Sequence, residues 1–253
     1  MEIEGEWSLS EVAAENEKKL SLSSTGYKDD RYMWRLKQWL KRVALSWRDN
    51  RARYRAKKIE HRWLALSKDL PRSADGKILI HVGCGDVNAP GFINLDARPQ
   101  PHVHIVTNNL FRLTMIPDNV ADLIYMSHVL EHVSHRDMIA TVREMHRLLK
   151  TGGVLRISVP DFDKIIDIYQ ATGHDITAIE QPLMGGQDYP FNYHYATFND
   201  AHLRQAMLKG GFRETGTWDP LHCAYHEFDD WASRKILWSG REFEISLNIE
   251  ATK

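Results

Sequence analysis

The feature that most constrains this chain is a change of hydrophobic rhythm at Leu70-Pro71-Arg72-Ser73-Ala74-Asp75-Gly76. Before that stretch, apolar residues recur every three or four positions, as on one face of a helix. After it, short apolar runs at 77–82, 92–95, 103–106, 123–126 and 154–159 read as strands. Helical patterns at 137–149, 162–169 and 201–208 follow or separate them, the last capped by Asn199 or Asp200 with Gly210 past its end. Strands and helices in alternation close most economically as a doubly wound, mostly parallel α/β sheet, expected over residues 77–253. Phe243, Ile245, Leu247 and Ile249 alternate with polar neighbours and read as a half-exposed, antiparallel C-terminal strand.

The first part of the chain differs. Residues 1–26 are polar and acidic at the start, and Ser21 to Gly26 reads as a flexible link. Residues 27–70 form a basic amphipathic helical arm with stripes at Leu36, Leu40, Val43, Trp47 and at Ala52, Ala56, Ile59, Trp63, Leu66. The two stripes do not join smoothly, so Arg48-Asp49-Asn50 is expected to break the helix. From 28 to 68 there are 14 Lys and Arg against 4 Asp and Glu, while the remainder carries 19 basic and 30 acidic residues. A basic arm on an acidic body argues against a nucleic-acid-binding core. Tyr32, Trp34, Trp39, Trp47, Tyr54 and Trp63 among the basic residues suit an anionic membrane surface, a partner protein, a second subunit or the acidic body itself. Two cysteines cannot build a disulfide framework, no signal peptide is recognisable, and no apolar run is long enough to span a bilayer. A cytoplasmic protein, peripheral at the inner membrane if the arm meets lipid, is expected.

Two strand ends carry chemistry. Ile78-Leu79-Ile80-His81-Val82 runs into Gly83-Cys84-Gly85-Asp86, and a Gly-x-Gly turn lets the backbone approach a ligand because glycine has no Cβ. Gly91-Phe92-Ile93-Asn94-Leu95-Asp96 closes the next strand with a carboxylate that can accept both hydroxyls of a ribose. Thirteen positions separate Gly83 from Asp96, against about 20 in dinucleotide folds, and the five residues between Gly85 and Gly91 cannot hold a crossover helix. An ordinary NAD site is thereby disfavoured.

Val82-Gly83-Cys84-Gly85, Gly91 to Asp96, the run Asp122-Leu123-Ile124-Tyr125-Met126-Ser127-His128-Val129-Leu130-Glu131-His132, and Leu148-Leu149-Lys150-Thr151-Gly152-Gly153-Val154-Leu155 together resemble class I methyltransferases dependent on S-adenosylmethionine (SAM). The likeness is to small predicted methyltransferases associated with bacterial surface-polysaccharide and lipopolysaccharide synthesis. These share the shortened first link and an ending similar to residues 245–253. It covers about residues 77–253 and implies a Rossmann-like domain, SAM as cofactor, and O-methylation of a sugar in a polysaccharide or glycan intermediate. By position, the resemblance places Gly83, Cys84 and Gly85 beside the methionyl group and Asp96 on the ribose. Asn109-Leu110 stands near the adenine where the family often has Asp-Leu, and an Asn oxygen can accept from the adenine amino group. Ser127 and His128 would line the methionyl end and the acceptor's way in.

A hydroxyl acceptor benefits from a base, for which imidazole is suited near neutral pH. His128, His132, Asp161 and His194 are the candidates, His128 first for its strand-end position. Against these roles, His132 also reads as a structural helix residue and Asp161, after Pro160, as a helix cap. His194 lies in the aromatic loop 189–195 and suits either an acceptor lid or packing. Gly185-Gly186-Gln187 before that loop suggests a hinge or a close backbone approach. His128-Val129-Leu130-Glu131-His132 also matches a zinc-peptidase pattern, which makes a zinc hydrolase with Glu131 as base the lesser alternative, because the run follows an apolar strand in a chain with a SAM-like first half; no metal is assigned. A non-catalytic SAM-binding regulatory subunit that recruits a partner through the arm is the first alternative.

Overall fold

A computed structural model describes residues 30–253; residues 1–29, and with them the acidic segment 1–26, lie outside the described residues. Helix α1 is Asp30–Leu66, a continuous 37-residue helix. The break expected at Arg48-Asp49-Asn50 is absent, because none of the three is a Pro or Gly that would interrupt the i→i−4 ladder. The chain divides into two compact units, 1–55 and 56–253. In the first, Trp34, Trp39 and Tyr54 are exposed; in the second, Trp63 is buried in the main core. The side chains of Tyr32 and Trp47 lie outside the described residues.

The second unit is built on a seven-stranded sheet. Its strands are β1 (Leu79–Val82), β2 (Phe92–Asp96), β3 (Ile105–Val106), β4 (Ala121–Ser127), β5 (Leu149–Pro160), β6 (Glu214–Thr217) and, last in the chain, β9 (Ser246–Thr252). The order is β3-β2-β1-β4-β5-β9-β6. Strands β1 to β5 pair in parallel, and β9 is antiparallel to both its neighbours. The four residues of β1 are all buried, as an apolar strand covered on both faces must be. Helices α2 (Met138–Leu148), α3 (Phe162–Ala171), α4 (Glu180–Met184) and α5 (Asp200–Gly210) complete the unit with a hairpin of β7 (Lys235–Trp238) and β8 (Arg241–Glu244). Met138, Val142, Met145 and Leu148 make the buried face of α2. No helix joins β1 to β2, as the short link requires; turns closed by Val87 N to Cys84 O and Phe92 N to Ala89 O take its place.

Two expectations need correcting. The C-terminal strand alternates buried with partly exposed positions as expected, but Phe243 and Ile245 do not belong to it. Phe243 sits on β8 and Ile245 in the bend that follows. Along β9 the partly exposed Asn248 and Glu250 also find protein partners: Asn248 donates to the Ala232 carbonyl at 3.0 Å and Glu250 accepts from Arg156 at 3.0 Å. Alternation therefore marked a strand with hydrogen-bonded polar partners on one face. Asn199 caps α5 as expected, accepting from His202 N, but Gly210 is the last helical residue and Gly211, at φ +113°, supplies the left-handed C-cap. Gly210 is held inside the helix by close packing, since a Cβ there would run into Val142 of α2.

Candidate active site

The site begins where β1 and β2 end side by side. Gly83 and Gly85 turn the chain at φ +65° and +56°, values that disfavour any side chain. Gly83 is also a packing requirement, because a Cβ would collide with Val129 just beyond β4. Gly85 N donates to Asp96 Oδ2 at 2.8 Å, and Arg98 N donates to Asp96 Oδ1 at 2.8 Å. Two backbone amides thus fix the carboxylate beside the turn, and each oxygen retains acceptor capacity.

These strand ends open on a cavity of about 630 Å³, a size suited to a nucleoside-sized ligand. Gly83, Cys84, Gly85, Asp96, Leu110 and Ser127 line it, together with His128, His132 and His194. Asn109 is exposed and stands off the wall, which its neighbours Asn108 and Leu110 form. Asp161 also stands off the wall. It is buried, accepts from Asp163 N at 3.1 Å as the N-cap of α3, and its own amide donates to the Ile245 carbonyl. The structure thus gives it the capping geometry. Gly185 and Gly186 make a close backbone approach, since a Cβ on Gly185 would lie 2.5 Å from the Asn192 carbonyl oxygen.

A cluster of imidazoles and one carboxylate forms the polar end of the cavity. His128 follows β4 at φ +51°, and its amide is tied to the Ser158 carbonyl. Ser246 Oγ donates to the Trp231 carbonyl, so it accepts from His128 Nε2, 2.8 Å away. That bond places the imidazole proton on Nε2 and leaves the Nδ1 lone pair facing Glu131 Oε1 at 3.4 Å. Burial pushes His128 down to about 3, with repulsion from His194 and His132 adding to it, and His194 down to about 4, with repulsion from His132 adding to it. The imidazoles are therefore neutral at pH 7.

Glu131 is the group sequence reasoning left outside the candidate site. It lies in a 3-10 turn, Leu130–His132, is 1% exposed, and has no hydrogen-bond partner for either carboxylate oxygen. Burial pushes it up to about 8. Its backbone carbonyl accepts from Tyr195 N at 2.7 Å and Ala196 N at 3.2 Å, which ties the aromatic loop to the turn and brings His194 to Glu131. Ser127 Oγ is likewise buried without a partner. Arg98, stacked on Tyr189 at 4.7 Å, and Trp231 also line the cavity. No sequence motif marked these two; the position of Glu131 between two histidines was the available signal.

Comparison with known proteins gives one family match: the model described as a methyltransferase domain covers residues 48–215, well over half of the chain. No curated protein matches. Among solved structures the chain is similar to a SAM-dependent methyltransferase from Archaeoglobus fulgidus, at 14% identity and TM-score 0.44, over 76% of this chain and 90% of that one. It is similar to an S-adenosylmethionine-dependent methyltransferase from Mesorhizobium loti, at 18% identity and TM-score 0.40, over 76% and 97%. It is also similar to a Burkholderia thailandensis 1,6-didemethyltoxoflavin-N1-methyltransferase, solved with bound 1,6-didemethyltoxoflavin and S-adenosylhomocysteine, at 13% identity and TM-score 0.44, over 92% and 93%.

Proposed function

The chain belongs to the methyltransferase-domain family, and from that premise we propose that it methylates a sugar hydroxyl of a polysaccharide or related glycan intermediate. S-adenosylmethionine is the cofactor; when bound it supplies an electrophilic methyl group on a cationic sulfur. The observation that carries this reading is Asp96, pinned by the Gly85 and Arg98 amides at paired strand ends and opening on the cavity. Its spare lone pairs suit the ribose hydroxyls. Gly83, Cys84 and Gly85 border the methionyl group, and Ser127 Oγ, unpartnered and buried, offers a hydroxyl there. Leu110 and Asn108 flank the adenine, with Asn109 one step outside.

The acceptor approaches from the histidine end. His128, His132 and His194 line this end as the candidate bases for a hydroxyl proton, and His128 is kept in one tautomer by Ser246. Phe191 and Trp231, both partly exposed on the cavity wall, present flat apolar faces to the carbon face of a sugar ring. The glycan assignment is supported by the resemblance of residues 77–253 to surface-polysaccharide methyltransferases. No described helix is long and apolar enough to cross a membrane. Trp34, Trp39 and Tyr54, exposed on the basic arm, support contact with an anionic membrane or a partner protein and so a peripheral, cytoplasmic enzyme.

Methyl-labelled SAM incubated with a panel of glycans and nucleotide-sugars, followed by mass spectrometry, tests the proposal. One saccharide is expected to gain a single O-methyl group. Bound SAM with no transfer to any saccharide would remove the sugar assignment and favour a non-catalytic SAM-binding subunit.

A further inference from the structure

The polar end of the cavity contains a donor set that methyl transfer does not require. Glu131, His132 and His194 each offer one ligand atom, and these atoms lie within 4.8 Å of one another. We propose that Glu131, His132 and His194 bind a divalent first-row transition cation, Mn2+, Co2+ or Zn2+, with open coordination positions facing the cavity.

Three observations carry this. First, both oxygens of the Glu131 carboxylate are buried on the cavity wall with no hydrogen-bond partner. A buried carboxyl group with neither oxygen partnered is costly, and a cation bound to it offsets that cost. Second, the tautomer of His132 is set for ligation. Its Nδ1 lies 3.1 Å from the Tyr193 carbonyl, which only accepts, so Nδ1 carries the proton and Nε2 keeps its lone pair. That Nε2 lies 3.9 Å from Glu131 Oε1, and a backbone carbonyl behind a metal-binding imidazole is the usual second partner. Third, His194 arrives from a distant loop whose position is set by the Glu131 carbonyl itself, through the Tyr195 and Ala196 amides. Its ring packs edge-on to His132 at 4.8 Å between centroids. Residues 62 positions apart are thus drawn to one point, and the Gly185–Asn192 approach braces the loop that carries the second imidazole.

Two imidazoles and one carboxylate favour borderline cations over Mg2+ or Ca2+, and three protein ligands leave positions free. His128 stands behind the set, its Nδ1 3.4 Å from Glu131 Oε1. The free positions look onto the same cavity as Ser127 and Gly83. An oxygen of the acceptor can fill one of them, which would hold the hydroxyl in place and acidify it. That last role rests on the proposed methyl transfer; the binding of the cation does not.

The test uses the full chain, stripped with EDTA and titrated with Co2+ alone, followed by visible absorption and isothermal calorimetry. One equivalent is expected, with d–d bands that Zn2+ displaces. Glu131→Gln, which keeps size and neutral burial, and His194→Ala, on a loop, are each expected to weaken binding by about 100-fold or more. His222→Ala, at an exposed imidazole, is expected to change nothing. No stoichiometric binding, or binding that survives both ligand substitutions in folded protein, would overturn the site. A chain that binds SAM and methylates a saccharide after EDTA treatment but takes no cation overturns this inference alone. A chain that takes the cation and binds no SAM overturns the methyltransferase reading alone.

Discussion

Gly83 shows how one residue can answer to two constraints. Its φ of +65° disfavours a side chain, and the position of its missing Cβ is already filled by Val129. The Gly-x-Gly pattern made the turn legible in the sequence, but the collision with Val129, 46 positions away, was not, because it depends on how β4 lies beside β1. Gly83→Ala is expected to cost at least about 2 kcal/mol, from overpacking and a left-handed backbone together. Urea denaturation measures it. Adding Val129→Ala should relieve the collision while leaving the backbone strain, so the double variant recovers part of the loss relative to its own Val129→Ala parent. A Gly83→Ala protein as stable as the wild type would show that the turn is not built as described. Asp161 gives the opposite lesson: Pro160-Asp161 looked equally ready for catalysis or capping, and the structure gives it the geometry of a cap.

Among the elements, the strands that hold the site were the most legible. Fully buried runs such as Leu79–Val82 and Phe92–Asp96 carry their signal in a few consecutive residues, so their ends, and with them the cavity, could be placed. Elements whose extent depends on neighbours were misread. Strand β9 keeps the alternation expected of it but starts only at Ser246, because Phe243 pairs with Ile236 in the β7–β8 hairpin. The two stripes of α1 suggested two helices, whereas a change of stripe phase does not break a backbone that has no Pro or Gly at that point. The histidine cluster was half legible. His128, Glu131 and His132 are near in sequence, but His194 joins them only because the loop is tied to the Glu131 carbonyl.

Over the whole molecule, burial of neutral imidazoles makes stability depend on pH. His81 is enclosed by Phe92, Tyr125 and Phe228, and burial pushes it down to about 3, with repulsion from His226 and His102 adding to the effect. The unfolded chain takes up this proton near the ordinary value of 6.5. The His81 contribution is therefore intact above pH 6.5 and is lost as pH falls toward 3, at up to about 1.4 kcal/mol per pH unit. Unfolding free energies of the wild type and His81→Leu, compared between pH 6 and 4.5 in EDTA, should differ in slope by about that amount. Parallel curves would mean that His81 is not held neutral in the folded state.

The whole account depends on β1 and β2 delivering Gly85 and Asp96 to one ligand. Calorimetric titration of SAM into the wild type and Asp96→Ala tests this most directly. The wild type is expected to bind one equivalent, and Asp96→Ala, still folded, to bind about 10- to 100-fold more weakly, the worth of hydrogen bonds to a charged acceptor. A wild-type protein that releases no binding heat at several temperatures, or an Asp96→Ala variant that binds SAM equally well, would contradict it.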